Sequence, residues 1–316
     1  RDIFLDPEPD PAKSLAERQR LFDLPRSSWQ DYDKSLISAG GGVFSRQAKS
    51  IPLSPALQEL LDLPKSEVSP PELMTAILRA RVDLLWFGGI GTYIRASDES
   101  DAQVGDRAND AIRISGGDVR ARVIGEGANL GATQRGRVEA ARKGVRLNTD
   151  AIDNSAGVNT SDVEVNIKIA LAGPVKDGRL AEDDRNALLA EMTDEVGLLV
   201  LRNNTQQTLA LSLTEARGVA ATPGLRYLMQ TLETQGALDR TVEYLPSDAV
   251  LSEREKRGEG LTRPELAVLL AYAKLSLHDA LLESDVPDDL YLNSELVRYF
   301  PQALRERYAP EIAGHK

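Results

Sequence analysis

Cysteine is absent and histidine occurs only twice, at His278 and His315. Disulfides are excluded and Cys/His zinc sites nearly so. A metal site of carboxylates alone stays open, and no metal ligand is assigned. Aromatic residues make up 5% of the chain, too few for the stacking surfaces that hold single-stranded nucleic acid. Positive charge is also short. There are 38 Lys and Arg against 49 Asp and Glu, a net charge of -11, which disfavours nucleic acid and other polyanions as partners. No apolar run approaches the ~20 residues of a membrane-spanning helix. The opening, Arg1-Asp2-Ile3-Phe4-Leu5, is not the basic stretch and apolar core of a signal peptide. A cytoplasmic protein with no nucleic-acid or membrane partner is the expectation.

What is present fits ordinary globular material: 316 residues, 41% of them apolar and 28% charged, enough for two or more domains with real cores. The chain opens on what reads as the end of a strand, Ile3-Phe4-Leu5, entering a turn at Asp6-Pro7. It stops at Gly314-His315-Lys316, just past a helical segment. It therefore reads as an excerpt of a longer polypeptide.

Residues 6–35 are polar and Pro-punctuated, with one helix expected around Ser14–Phe22. Ser35–Ser38 reads as a strand running into Gly40-Gly41-Gly42. Ser69-Pro70-Pro71-Glu72 is a capping box with Pro in the first turn, so a helix should begin there and run to about Arg81. Val82–Phe87 reads as a buried strand ended by Gly88-Gly89-Ile90-Gly91. A helix follows near Ala102–Ile112, a strand at Arg120–Ile124, a helix at Thr133–Lys143 and a strand at Val145–Thr149. Strands alternating with helices predict an α/β fold with a partial, Rossmann-like, mostly parallel sheet. From about Ser161 the strand signals vanish. Leu188–Ala216 has helical spacing, with Leu198, Leu201, Leu209 and Leu213 among its apolar positions. Thr222-Pro223 opens another helix, and Thr262-Arg263-Pro264-Glu265 is a second capping box. The helix after that box places Leu266, Leu269, Leu270, Ala273, Leu277 and Leu281 on one face. Ser294–Tyr308 should be helical and interrupted by Pro301. The expected division is 1–160 as the Rossmann-like domain and 161–316 as a mainly α-helical C-terminal domain.

Chemistry concentrates in two loops. Val123-Ile124-Gly125-Glu126-Gly127-Ala128-Asn129 is a short apolar strand entering a glycine-bracketed loop with one acid and one amide. Asp153-Asn154-Ser155-Ala156-Gly157-Val158 follows about two dozen residues later. Loops at the carboxyl ends of parallel strands are where dinucleotides are held. Gly125, Gly127 and Gly131 could form a dinucleotide fingerprint with Asp150 as the ribose acid, or they could simply bracket a turn. Ser38–Arg46 contains three successive glycines that could cradle a phosphate or serve as a flexible connection. His278, near an apolar helix face, reads as a core or boundary histidine, and no hydrolase triad is present.

The two loops resemble the cofactor-domain signatures of glutamate dehydrogenases, and their surroundings resemble the large-subunit, bacterial NAD-specific branch of that family. The resemblance extends to Asp83–Thr92 and to Leu261–Tyr272, and so covers nearly the whole chain. It implies that residues 1–160 are part of an NAD-binding domain. It implies that Asn129 lines the cofactor site, that Asn154 contacts the nicotinamide portion, and that Gly88 and Gly89 let the backbone approach the dinucleotide. Ser161 falls on the hydroxyl that receives the side-chain carboxylate of glutamate. Ser161 and Glu164 also make a capping box, so that hydroxyl could instead cap its own helix. Asp153-Asn154 could likewise be a turn bonding local backbone. The family's proton-transfer residues match no motif here, so no catalytic acid or base is assigned. The implied activity is NAD-dependent oxidative deamination of L-glutamate to 2-oxoglutarate and ammonium, by a homo-oligomeric parent of which this excerpt alone is inactive. The alternatives are another amino-acid dehydrogenase of the same superfamily, and a non-catalytic assembly or regulatory fragment.

Overall fold

The computed structural model describes residues 1–315; Lys316, the end of the expected helical domain, lies outside the described residues. The chain forms two compact units. The first comprises Arg1–Gly125 and Leu130–Leu147, the second Glu126–Asn129 and Asn148–Lys316. The division therefore falls before the change of texture at 160/161.

In the first unit, β1 (Asp2–Leu5) pairs antiparallel with β2 (Gly42–Ser45). Helix α1 (Pro11–Asp23) lies between them in sequence. It starts where it does because the Asp10 carboxylate accepts from the amides of Ala12 and Lys13, with Pro11 at the first helical position. The strand expected at Ser35–Ser38 is instead a 3-10 turn, Lys34–Leu36. The Asp33 side chain accepts from the Ser35 amide at 2.9 Å, a local bond that competes with extended backbone. Next come β3 (Ile51–Pro52), α2 (Pro55–Leu61) and β4 (Glu67–Val68), with β3 and β4 antiparallel. Helix α3 (Pro70–Leu78) opens on the Ser69/Glu72 capping box, as the spacing predicts. These elements enclose one apolar core containing Ile3, Leu5, Ile51, Leu57 and Leu73.

A second core, with Phe87, Ile94, Ile114, Ile124 and Leu147, holds the rest of the unit together. Here lie β5 (Leu84–Phe87), β6 (Ile94–Arg95), α4 (Asp101–Val104), β7 (Ile114–Ser115), β8 (Val123–Glu126) and α5 (Gln134–Arg142). Strands β5 and β8 are neighbours, and β6 pairs parallel with β7. The α/β character is as expected, but the sheet is cut into short pairs. Of β5 only Phe87 is buried, while Leu84 and Trp86 are 55% and 58% exposed, so the fully buried strand is not found. The helix expected near Ala102–Ile112 stops after one turn, at Gly105 with φ 76. The strand expected at Val145–Thr149 is reduced to one parallel bridge, Val123 to Arg146. The loop from Thr92 to Arg113 is tied by Arg113, whose buried guanidinium bonds Asp101 (2.7 Å), Asp110 (2.6 Å) and the Thr92 carbonyl (2.9 Å).

Glu17 gives the first unit an acid-labile fastening. Its buried carboxylate accepts from Arg20 Nε and Nη2 at 2.8 and 2.7 Å and from the Asp33 amide at 2.7 Å. The Arg20 guanidinium, and then that amide, hold its pKa down at about 2 against an ordinary 4.5. A depressed carboxylate contributes stability that is full above its unfolded pKa and is lost as pH falls through the folded one. Urea midpoints of the chain should therefore fall between pH about 5 and about 2, and Glu17→Gln should flatten part of that slope. An identical slope in the variant would remove Glu17 from the acid response.

The second unit is helical, as expected. It contains α6 (Asp150–Asp153), α7 (Ser155–Lys176), α8 (Glu182–Glu191), α9 (Thr193–Ala216), α10 (Thr222–Thr234), α11 (Asp248–Lys256) and α12 (Arg263–Leu282). It ends with α13 (Asn293–Tyr299), α14 (Gln302–Arg307) and α15 (Ala309–Ala313), Pro301 separating α13 from α14. One core gathers Leu211, Met229, Leu232, Leu251, Leu266 and Leu269. Another gathers Val163, Ile167, Leu171, Met192, Phe300 and Leu304. Leu198, Leu201, Leu209 and Leu213 on α9 are exposed, as are Leu277 and Leu281 on α12. On α9 the buried positions are Val200 and Leu211. His278 is exposed beside Asp279 rather than at a core boundary. No helix among the described residues is long and apolar enough to cross a membrane.

Candidate functional site

The glycine-bracketed loop leaves β8 at Glu126, which is 1% exposed. Gly125 is small for a packing reason: a Cβ there would lie 2.6 Å from Trp86 Cε3. Three residues later Asn129 is exposed, and Leu130 returns the chain with φ 60, a conformation rare outside glycine. The second loop runs from Asn148 through α6 into α7.

The two loops meet. Asn154 Nδ2 donates to Asn129 Oδ1 at 3.1 Å, across 25 residues of sequence. The adjacent Asp153 accepts the Glu126 amide on Oδ2 at 2.9 Å and Asn148 Nδ2 on Oδ1 at 2.6 Å. Asp153-Asn154 is thus not a turn whose side chains satisfy only their own backbone. Both reach the other loop. Asn204 of α9 steadies the turn from outside, donating to the Ile152 carbonyl and to Ser155 Oγ, both at 2.8 Å. A Cβ on Gly157 would stand 3.2 Å from Asn154 Oδ1, so a small residue keeps that oxygen open. The amide pair leaves Asn129 Nδ2 as a donor and Asn154 Oδ1 as an acceptor.

Ser161 is in the same unit but is not a helix start. Helix α7 begins at Ser155 and runs unbroken through it, and Glu164 pairs with Lys168 at 2.6 Å instead. The capping-box reading is therefore corrected: the Ser-x-x-Glu spacing recurs inside a helix that had already begun. Ser161 is exposed, and its hydroxyl is free of a capping role.

Gly88 and Gly89 lie in the first unit, exposed at the carboxyl end of β5. They line a cavity of about 350 Å³ with Phe87, Tyr93, Ile112 and Met74. A Cβ on Gly89 would meet nothing within 4 Å. The fixed turn is at Gly91, with φ 131, where a Cβ would strike Asn109 Nδ2 and Tyr93 Oη at 2.7 Å.

Sequence reasoning passed over Asp6, at the carboxyl end of β1. Its Oδ1 accepts from the Ser38 amide at 3.1 Å and from the Ser38 hydroxyl. Its Oδ2 is buried with no partner among the described residues. The glycines before β2 let their loop press against this end: a Cβ on Gly41 would lie 2.6 Å from the Leu5 carbonyl. A carboxylate at the carboxyl end of a strand, facing a glycine-rich loop, is the signal that could have found it. Asn148 and Asp153 carried no such signal.

The family model described as "Bacterial NAD-glutamate dehydrogenase, catalytic domain" matches residues 1–214. The one described as "Glutamate dehydrogenase, C-terminal" matches 258–316. The chain is 54% identical over 314 residues to the NAD-specific glutamate dehydrogenase of Halomonas elongata, covering 99% of this chain and 20% of that protein. It is 52% identical to the proteins of the same name from Pseudomonas aeruginosa (99% and 19% covered) and Mycobacterium tuberculosis (100% and 20% covered). The chain thus spans about a fifth of the length of these relatives.

Proposed function

The chain belongs to the bacterial NAD-glutamate dehydrogenase family, and from that premise we propose that it supplies the cofactor side of an enzyme that deaminates L-glutamate oxidatively to 2-oxoglutarate and ammonium. The observation that carries this reading is the Asn154–Asn129 hydrogen bond. A carboxamide such as that of nicotinamide carries one carbonyl acceptor and one amide donor. The free Asn129 Nδ2 and Asn154 Oδ1 are the complementary pair. Asp6, with its unpartnered Oδ2, suits ribose hydroxyls, which donate to a carboxylate. Gly88 and Gly89 offer bare backbone for the dinucleotide to approach.

Bound NAD would accept the hydride from the amino acid's α-carbon. The chain's own residues bind and orient. The amide pair fixes the plane of the nicotinamide ring. The Ser161 hydroxyl donates to the substrate's side-chain carboxylate, a group that an apolar amino acid lacks. Proton transfer belongs to groups this chain does not supply, so the chain alone should not turn over glutamate.

The test is NADH oxidation by a full-length family enzyme carrying this segment, with ammonium and either 2-oxoglutarate or 2-oxoisocaproate. Turnover with 2-oxoglutarate alone is expected. Ser161→Ala should raise KM for 2-oxoglutarate about tenfold or more, the worth of one hydrogen bond to a charged group. Asp6→Ser should do the same to KM for NADH. Turnover with 2-oxoisocaproate would reassign the substrate. An Asp6→Ser enzyme with unchanged KM would remove that acid from the cofactor site.

A further inference from the structure

We propose that Arg263, at the start of α12 in the segment matched by the C-terminal family model, is a positioning residue for the Asn129–Asn154 amide pair. The inference rests on the reading of that pair as a cofactor contact, and extends it to a residue 115 positions from the loop it acts on.

The relay has three links. Arg263 Nε donates to Asn148 Oδ1 at 2.5 Å. Asn148 Nδ2 donates to Asp153 Oδ1 at 2.6 Å. Asp153 Oδ2 accepts the Glu126 amide at 2.9 Å. Each link has only one possible polarity. A guanidinium can only donate, so Asn148 must turn its oxygen to Arg263 and its NH2 to Asp153. An ionised carboxylate can only accept, so Asp153 takes that NH2 on one oxygen and the Glu126 N–H on the other. The relay therefore fixes one rotamer at each step. It ends on the amide that starts the Asn129 loop and on the residue preceding Asn154.

Arg263 is itself held firmly. Its side chain is 10% exposed. Nη1 donates to Ser212 Oγ and Glu215 Oε2, both at 3.0 Å, and Nη2 donates to the Thr208 carbonyl at 3.2 Å. These three partners are all on α9. At the other end, Glu265 accepts from the Thr262 amide and hydroxyl at 2.7 and 2.8 Å, fixing the turn from which Arg263 projects. A lysine carries one point charge in place of this planar fork and cannot serve Asn148 and α9 together.

The experiment uses a full-length family enzyme carrying this segment, with Arg263→Ala and Arg263→Lys. Amide hydrogen exchange of peptides spanning 123–130 and 148–156 is read beside steady-state kinetics. In Arg263→Ala, the Glu126 amide should exchange about tenfold faster or more. KM for NAD should rise about tenfold, since loss of orientation by a distant residue is enough for that, and KM for glutamate should move less. Arg263→Lys should fall between the two, and it serves as the test if Arg263→Ala does not fold. Unchanged exchange at Glu126 in a folded variant would overturn the relay. Faster exchange with unchanged KM for NAD would overturn the positioning role if Asn129→Ala and Asn154→Ala still raise that KM. If those two variants also leave it unchanged, the cofactor reading of the amide pair fails instead.

Discussion

Arg254→Ala should destabilise the helical unit by about 3–5 kcal/mol, the usual cost of removing one partner of a buried ion pair. Arg254 and Glu265 are 6% and 1% exposed at the side chain. They form a two-pronged pair, Nη1 to Oε2 at 2.8 Å and Nη2 to Oε1 at 2.9 Å. Without Arg254, the Glu265 carboxylate would stay buried with only Thr262 to satisfy it. The pair is not a pure gain, because Arg254 Nε is buried with no partner among the described residues. The double variant Arg254→Met with Glu265→Met should therefore cost less than the single change, since it leaves no orphaned charge. It still loses the cap on Thr262, worth about 1 kcal/mol. Urea unfolding followed by helical circular dichroism distinguishes the cases. A single variant that loses less than about 1 kcal/mol would show that water or relaxation already screens the pair.

This ion pair was half legible in the sequence. Both capping boxes, at Ser69 and Thr262, were visible because they depend only on residues three apart. That Glu265 also faces Arg254 was not visible, because it requires the packing of α11 on α12. The same limit governs the candidate site. Asn129 and Asn154 could be singled out by resemblance, but their contact joins loops that no periodicity connects. Asn148, Asp153 and Arg263 were missed for that reason. Ser161 shows the converse error. A local rule, Ser-x-x-Glu, was satisfied in the letters, yet the backbone around it was already helical from Ser155. The strand expected at Val145–Thr149 had suitable residues, but a strand needs a partner over several residues and Arg146 found one bridge. On α9, helical spacing correctly indicated a helix. It did not indicate which of the leucines face the core, because they occur on more than one side of it.

Asn154→Ala and Asn129→Ala should each raise KM for NAD or lower kcat in the full-length enzyme, by about 10- to 100-fold for a lost pair of oriented hydrogen bonds. The two effects should not add. Each side chain orients the other through the 3.1 Å bond, so removing either disturbs both, and the double variant should be little worse than the single ones. A coupling of about 0.5–3 kcal/mol is typical of residues in direct contact. Asn154→Asp sharpens the test. It keeps the shape and the outward acceptor but cannot donate to Asn129 Oδ1. Asn129 would have to rotate its amide by half a turn to donate instead, and would then present its oxygen where its NH2 had been. A carboxamide partner would meet two acceptors and no donor. Asn154→Asp should therefore be at least as damaging to NAD use as Asn154→Ala, although it is the more conservative change in volume. Were Asp tolerated and Ala not, the pair would be acting through bulk alone. If the single effects added without coupling, the two amides would be contacting the cofactor independently rather than as one oriented pair.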